Sequence, residues 1–146
     1  MTADVEPIIV EETYAVEAPV VWKAITDPSQ MSKWYFEPIE SFQPEVGFET
    51  QFNINLEETD YLHLWRVTEV DPGKRLAYTF DFEGYDSDAV VVWELSAVPG
   101  GTKLTLTETG WETLPQNNPL FSREAGVAGW TYFLKESLKK FLEPNT

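Results

Sequence analysis

The chain has no cysteine among its 146 residues. That absence removes disulfide frameworks, thiolate metal sites and cysteine nucleophiles together, and it fits a reducing cytoplasm, the compartment expected here. Histidine is nearly absent: His63 stands alone, which excludes multi-histidine metal sites but still permits a single triad-type histidine. Positive charge is scarce. Ten Lys and Arg face 25 Asp and Glu, a formal charge of −15. Such a surface repels phosphates and anionic lipid, so nucleic acid and membrane are not expected partners. No apolar run approaches the roughly 18–20 residues of a membrane-spanning helix. The acidic start, Met1 to Pro7, has no apolar stretch of the kind a secretion signal needs. Glycine-rich phosphate loops, internal repeats and low-complexity tracts are also missing. The paired acids Glu11-Glu12, Glu57-Glu58 and Asp86 with Asp88 fall in exposed-looking segments, and two carboxylates alone make a poor metal site. Neither a metal nor a cofactor is expected.

Apolar and aromatic side chains are plentiful: 42% of residues are hydrophobic and 14% aromatic, with six Trp. Disordered chains lack this much apolar area. The length suits one domain over residues 1–146, with its core from about 8 to 142. Alternation reads Ile8–Val16 as a strand with Val10, Tyr14 and Val16 on one face. Ala18-Pro19 opens a short helix, and Asp27-Pro28 caps and opens a second one that runs through Trp34. Strands are predicted at Gly47–Asn55, Tyr61–Val70, Arg75–Phe82, Ala89–Val98 and Thr102–Trp111, separated by turn signals such as Asp71-Pro72-Gly73 and Pro99-Gly100-Gly101. Turns this short imply an antiparallel meander. A long helix from Ser122 to Leu142 carries the stripe Val127, Trp130, Leu134, Leu138 and Phe141. The class is α+β: a curved antiparallel sheet of about six strands around one long C-terminal helix, with two short helices after the first strand.

The element order, the stretch Ala18-Pro19-Val20-Val21-Trp22-Lys23-Ala24-Ile25-Thr26-Asp27-Pro28, and Trp34 resemble the START-like, Bet v 1-like superfamily with its helix-grip fold. Val67-Thr68-Glu69-Val70-Asp71-Pro72-Gly73-Lys74-Arg75-Leu76, the run from Gly101 to Trp111 and Gly129-Trp130 are similar to the branch related to the C-terminal domain of the activator of Hsp90 ATPase. The resemblance implies a cavity between sheet and long helix that holds a small apolar or aromatic molecule. It also leaves two alternatives: an Hsp90 co-chaperone-like interaction domain, and a cyclase- or hydrolase-like enzyme. The activator's separate N-terminal domain is absent from this chain, which weighs against Hsp90 activation. Many members of the branch carry a His where this chain has Glu108, so no role of that His carries over.

Two polar residues could bring chemistry to such a cavity. Glu108 shares a strand face with Leu104 and Leu106, expected to be the inner one. A carboxylate there would have its pKa raised and could bind a ligand hydroxyl or amine, or act as acid or base. Alternatively the strand end twists outward, and Glu108 meets water or an Arg such as Arg66. His63 is either an ordinary strand residue or a polar contact in the pocket. No convergent catalytic constellation joins Glu108, His63 and Tyr78. The candidate ligand-binding residues are Trp34, Phe36, Phe52, His63, Trp65, Tyr78, Phe80, Trp93, Glu108, Trp111, Trp130 and Phe133. The aromatics among them either line a pocket or fill the core. Gly126 and Gly129, costly inside a helix, mark close approach or open space.

Overall fold

A computed structural model describes residues 6–56 and 58–144. The N-terminal segment up to Val5, and Glu57 of the acidic pair Glu57-Glu58, lie outside the described residues. The chain forms β1 (Ile8–Tyr14), α1 (Ala18–Thr26), α2 (Pro28–Trp34), β2 (Glu49–Leu56), β3 (Thr59–Asp71), β4 (Arg75–Thr79), β5 (Asp81–Phe82), β6 (Val90–Val98) and β7 (Gly101–Thr109). A continuous C-terminal helix closes it: α3 (Arg123–Thr131), a π-helical stretch at Tyr132–Ser137, and α4 (Leu138–Leu142). No helix among the described residues is long and apolar enough to cross a membrane.

The sheet order is β1-β7-β6-β4-β3-β2, antiparallel throughout, with β5 paired separately to β3. It curls around the C-terminal helix, which is the helix grip of the START-like fold. Alternation decides the inner face. Ile8, Val10 and Tyr14 of β1, Leu76 and Tyr78 of β4, Val91 and Trp93 of β6, and Leu104 and Leu106 of β7 are all buried. The helix answers with Trp130, Leu134 and Leu138, while Val127 and Phe141 at the two ends of the predicted stripe stay half-buried. The helix start follows the capping rule: Ser122 Oγ accepts from Ala125 N at 3.1 Å. Likewise Asp27 accepts from Ser29 N at 2.9 Å and opens α2 with Pro28 at its first position.

Three departures from the sequence reading have local causes. The strand predicted over Arg75–Phe82 is broken at Phe80, because β4 pairs with the far half of β3 whereas β5 pairs with His63 and Leu64. Asp81 holds the break by accepting from Phe82 N at 2.9 Å and Ser87 Oγ at 2.8 Å. Thr79 Oγ1 accepts from Arg66 N at 3.0 Å, in place of a ladder carbonyl. The strand predicted through Trp111 stops at Thr109. Gly110 takes a left-handed conformation (φ 74°), and a 3-10 turn at Trp111–Thr113 follows. The long helix is not α-helical throughout. At the π stretch Leu138 N reaches back to Phe133 O, and the buried Tyr14 hydroxyl donates to the Leu134 carbonyl. An outside donor on a helix carbonyl is one recognised cause of such a bulge.

Candidate functional site

A pocket of about 260 Å³ lies between the concave sheet and the C-terminal helix. Its sheet wall comes from Ile8 of β1, Tyr61 and His63 of β3, Phe80, Phe82 of β5 and Glu108 of β7. Gly126, Gly129, Trp130 and Phe133 form the helix wall, and Phe36 enters just after α2. The remaining side is the proline-marked loop between β7 and the helix, through Trp111, Leu114, Leu120 and Phe121. Leu56 at the end of β2 and Leu120 are 42% and 43% exposed, and they place apolar side chains at the solvent-facing margin.

Glu108 is on the inner face, as its alternation with Leu104 and Leu106 implies, and only 6% of it is exposed. The ladder sets it opposite Ile8 of β1 and Val91 of β6, both buried. Its carboxyl is therefore desolvated among aliphatic groups, which pushes its pKa up to about 7. One donor opposes that rise: Trp130 Nε1 donates to Oε1 at 2.8 Å. The outward-twisted alternative is corrected. Arg66 is exposed on the opposite face of β3, and the partner of Glu108 is an indole. Among the described residues Oε2 has no protein hydrogen-bond partner.

His63 is also an inner-face residue, 5% exposed. Its ring stacks on Phe52 with centroids 4.8 Å apart and meets Phe82 edge-on at 4.6 Å. Nδ1 lies 2.9 Å from the Tyr61 carbonyl. A carbonyl can only accept, so the proton of the neutral ring sits on Nδ1 and leaves Nε2 as an acceptor. Burial disfavours the imidazolium and lowers its pKa to about 4. No described hydrogen bond joins His63 to Glu108.

Of the twelve candidates, Phe36, His63, Phe80, Glu108, Trp111, Trp130 and Phe133 stand in the pocket wall. Trp34, Phe52, Trp65, Tyr78 and Trp93 do not; they fill the adjoining core. Trp34 Nε1 donates to Ala24 O at 2.8 Å, and Trp65 stacks on Tyr78 at 4.5 Å. Trp93 Nε1 donates to the Tyr78 hydroxyl, which also bonds Tyr35 Oη at 2.9 Å. Tyr78 is thus committed to a buried network, and its burial raises its pKa. Sequence reasoning missed Ile8, Tyr61 and Phe82, whose alternation with inner-face residues was available. It also missed Leu114, Leu120 and Phe121, for which the signal was a set of apolar residues inside a proline-bounded loop. The two helix glycines differ. A Cβ on Gly126 would come within 2.6 Å of Ile8 Cδ1, whereas one on Gly129 would meet nothing within 4 Å. Among the described residues, no group of three or more His, Asp or Glu gathers to hold a metal ion.

A curved sheet gripping one long helix, with a side pocket between them, defines a START-like, Bet v 1-like domain. The chain belongs to the family of activator of Hsp90 ATPase homolog 1-like proteins, whose model matches residues 15–143. A search of curated proteins finds no match. Solved structures share the fold. Protein MLL2253 from Mesorhizobium loti is similar at 25% identity and a TM-score of 0.76, over 97% of this chain and 99% of that one. CalU16 from Micromonospora echinospora is 26% identical at a TM-score of 0.67, over 94% and 76% of the two chains. The Aha1 dimer from Colwellia psychrerythraea has 20% identity and a TM-score of 0.74, over 94% and 96%.

Proposed function

We propose that the domain binds a small apolar or aromatic molecule between the sheet and the C-terminal helix, against Phe36, His63, Phe80, Glu108, Trp111, Trp130 and Phe133. The observation that carries this reading is the pocket between sheet and helix, which Gly129, exposed on the helix side, leaves uncovered. A tightly packed interior leaves few voids larger than a water molecule, yet about 260 Å³ is open inside a ring of aromatic side chains. That volume falls just under the roughly 300–1,000 Å³ of drug-sized sites, so it suits a compact ligand of one or two rings.

Trp111 and Trp130 in the wall supply the readout. Fatty acids, sterols, flavonoids, polyketide-like aromatics and hydrophobic amines are titrated against intrinsic fluorescence and thermal unfolding. A ligand at 100 times its Kd should stabilise the fold by about 2.7 kcal/mol. Gly129→Leu, which fills open space and gains roughly 1 kcal/mol of helix propensity, should stay folded and lose the binding. An absence of saturable response across all five classes refutes the proposal.

A second reading follows from family membership, because the family description names activation of the Hsp90 ATPase. The charge of −15 suits a basic docking surface. Under this reading the domain raises the ATPase rate of an Hsp90-type chaperone at low salt, and an unchanged rate rejects it.

A further inference from the structure

The carboxyl of Glu108 faces the pocket with half its hydrogen-bonding capacity unused. Oε1 takes the Trp130 indole proton, while Oε2 has no protein partner among the described residues. Among the described residues no Lys or Arg lines the pocket, and the ladder neighbours of Glu108 are aliphatic. His63 offers no cation either. Its Nδ1 proton is committed to the Tyr61 carbonyl, so Nε2 presents a second acceptor. The Tyr61 hydroxyl accepts from Asn118 Nδ2 at 3.2 Å and keeps its own proton as a modest donor. The unspent polar capacity is therefore weighted to acceptors, and one of them is an acid without a counter-ion. Around it stand the aromatic rings of Phe36, Phe80, Trp130 and Phe133. Ring faces carry partial negative charge and attract cations. A net charge of −15 also raises the local concentration of cations and lowers that of anions.

From this arrangement we infer that the occupant is a compact aromatic or alicyclic amine, held as its ammonium ion by Glu108 Oε2 with its ring system against the aromatic wall. The inference rests on the ligand-binding reading above and narrows it. A carboxylate ligand would bury a second negative charge beside Glu108 with no cation to offset either. A neutral alcohol fits the shape but leaves the acid without its counter-ion.

Three probes of one shape separate these cases: 1-naphthylmethylamine, 1-naphthalenemethanol and 1-naphthoate, titrated at pH 8 and low salt with tryptophan fluorescence as readout. The amine should bind at least about tenfold more tightly than the alcohol, a difference of about 1.4 kcal/mol, and the carboxylate most weakly. In Glu108→Gln, which keeps an acceptor for Trp130, the ratio of amine to alcohol affinity should fall to within about threefold. The wild-type ratio stands without any variant. Alcohol or carboxylate binding as tight as the amine overturns the inference but leaves the pocket reading in place. A ratio preserved in Glu108→Gln overturns it as well, since the preference would then arise from net charge alone. Failure of all three probes to bind rejects the pocket reading, and the inference falls with it.

Discussion

Replacing Glu108 by Gln should change the pH dependence of stability in a direction fixed by its surroundings. Unfolded, this carboxyl titrates near 4.5; folded, burial raises it to about 7. The folded state therefore holds a proton that the unfolded state has released between these values, and stability falls as pH rises through that window. At about 1.4 kcal/mol per pKa unit, the loss is roughly 3 kcal/mol, complete above about pH 7. Gln has no such term. Its carbonyl can still accept from Trp130 Nε1, but its amide N–H groups enter an apolar wall at a pH-independent cost of about 1–3 kcal/mol. The variant should be the less stable protein at pH 4.5 and the more stable one at pH 8.5, with the curves crossing between. Urea unfolding followed by tryptophan fluorescence across that range measures the difference. Subtracting wild type from variant cancels every other titrating group. A difference that stays flat from pH 4.5 to 8.5 would refute the reasoning, because Glu108 would then ionise in the folded state as easily as in water.

His63 carries the opposite sign in nearly the same window. Its folded pKa of about 4 lies below the unfolded 6.5, so wild type should lose up to roughly 3 kcal/mol as pH falls from 6.5 to 4. His63→Phe keeps the ring stack on Phe52 and should abolish that loss, as the same urea series would show. Tyr14→Phe deletes the donor to the buried Leu134 carbonyl and should cost about 1–3 kcal/mol by thermal or chemical denaturation; an unchanged midpoint would mean that another donor replaces it. Gly110→Ala would drive a Cβ into the Asp88 carbonyl oxygen at a φ of 74°. A loss of about 2–4 kcal/mol is expected, with altered fluorescence of the adjacent Trp111.

Much of the fold was legible along the chain because each local signal agreed with the final packing. Period-two alternation placed Val10 and Tyr14 of β1 and Leu104 and Leu106 of β7 on the inner face, whereas Val16, read with the first pair, lies past the end of β1 and is half-buried. Period-3.6 spacing identified Trp130, Leu134 and Leu138 on the helix. Asp27 and Ser122 announced helix starts that their hydrogen bonds realise. The same alternation offered an inward aim for Glu108 but left an outward twist open, and the ladder to the buried Ile8 and Val91 decides for the inner face. Where local signal and tertiary demand diverged, prediction failed. Nothing near Phe80 marks a strand break, since the break depends on which part of β3 each half pairs with. Nothing near Leu134 announces a π turn, since the hydroxyl that bonds its carbonyl is on Tyr14, 120 residues away.

The site divides along the same line. Composition alone determined that the chain has no thiol chemistry, no multi-histidine metal site and an aromatic-rich interior under an acidic surface. It could not say which aromatic rings fill space and which enclose it. Trp93 and Trp130 look alike in sequence, yet one donates to Tyr78 inside the core and the other to Glu108 at the pocket wall. Only the curl of the sheet around the helix decides that difference. A pocket is volume left over after many distant side chains have packed, and that remainder belongs to no stretch of sequence.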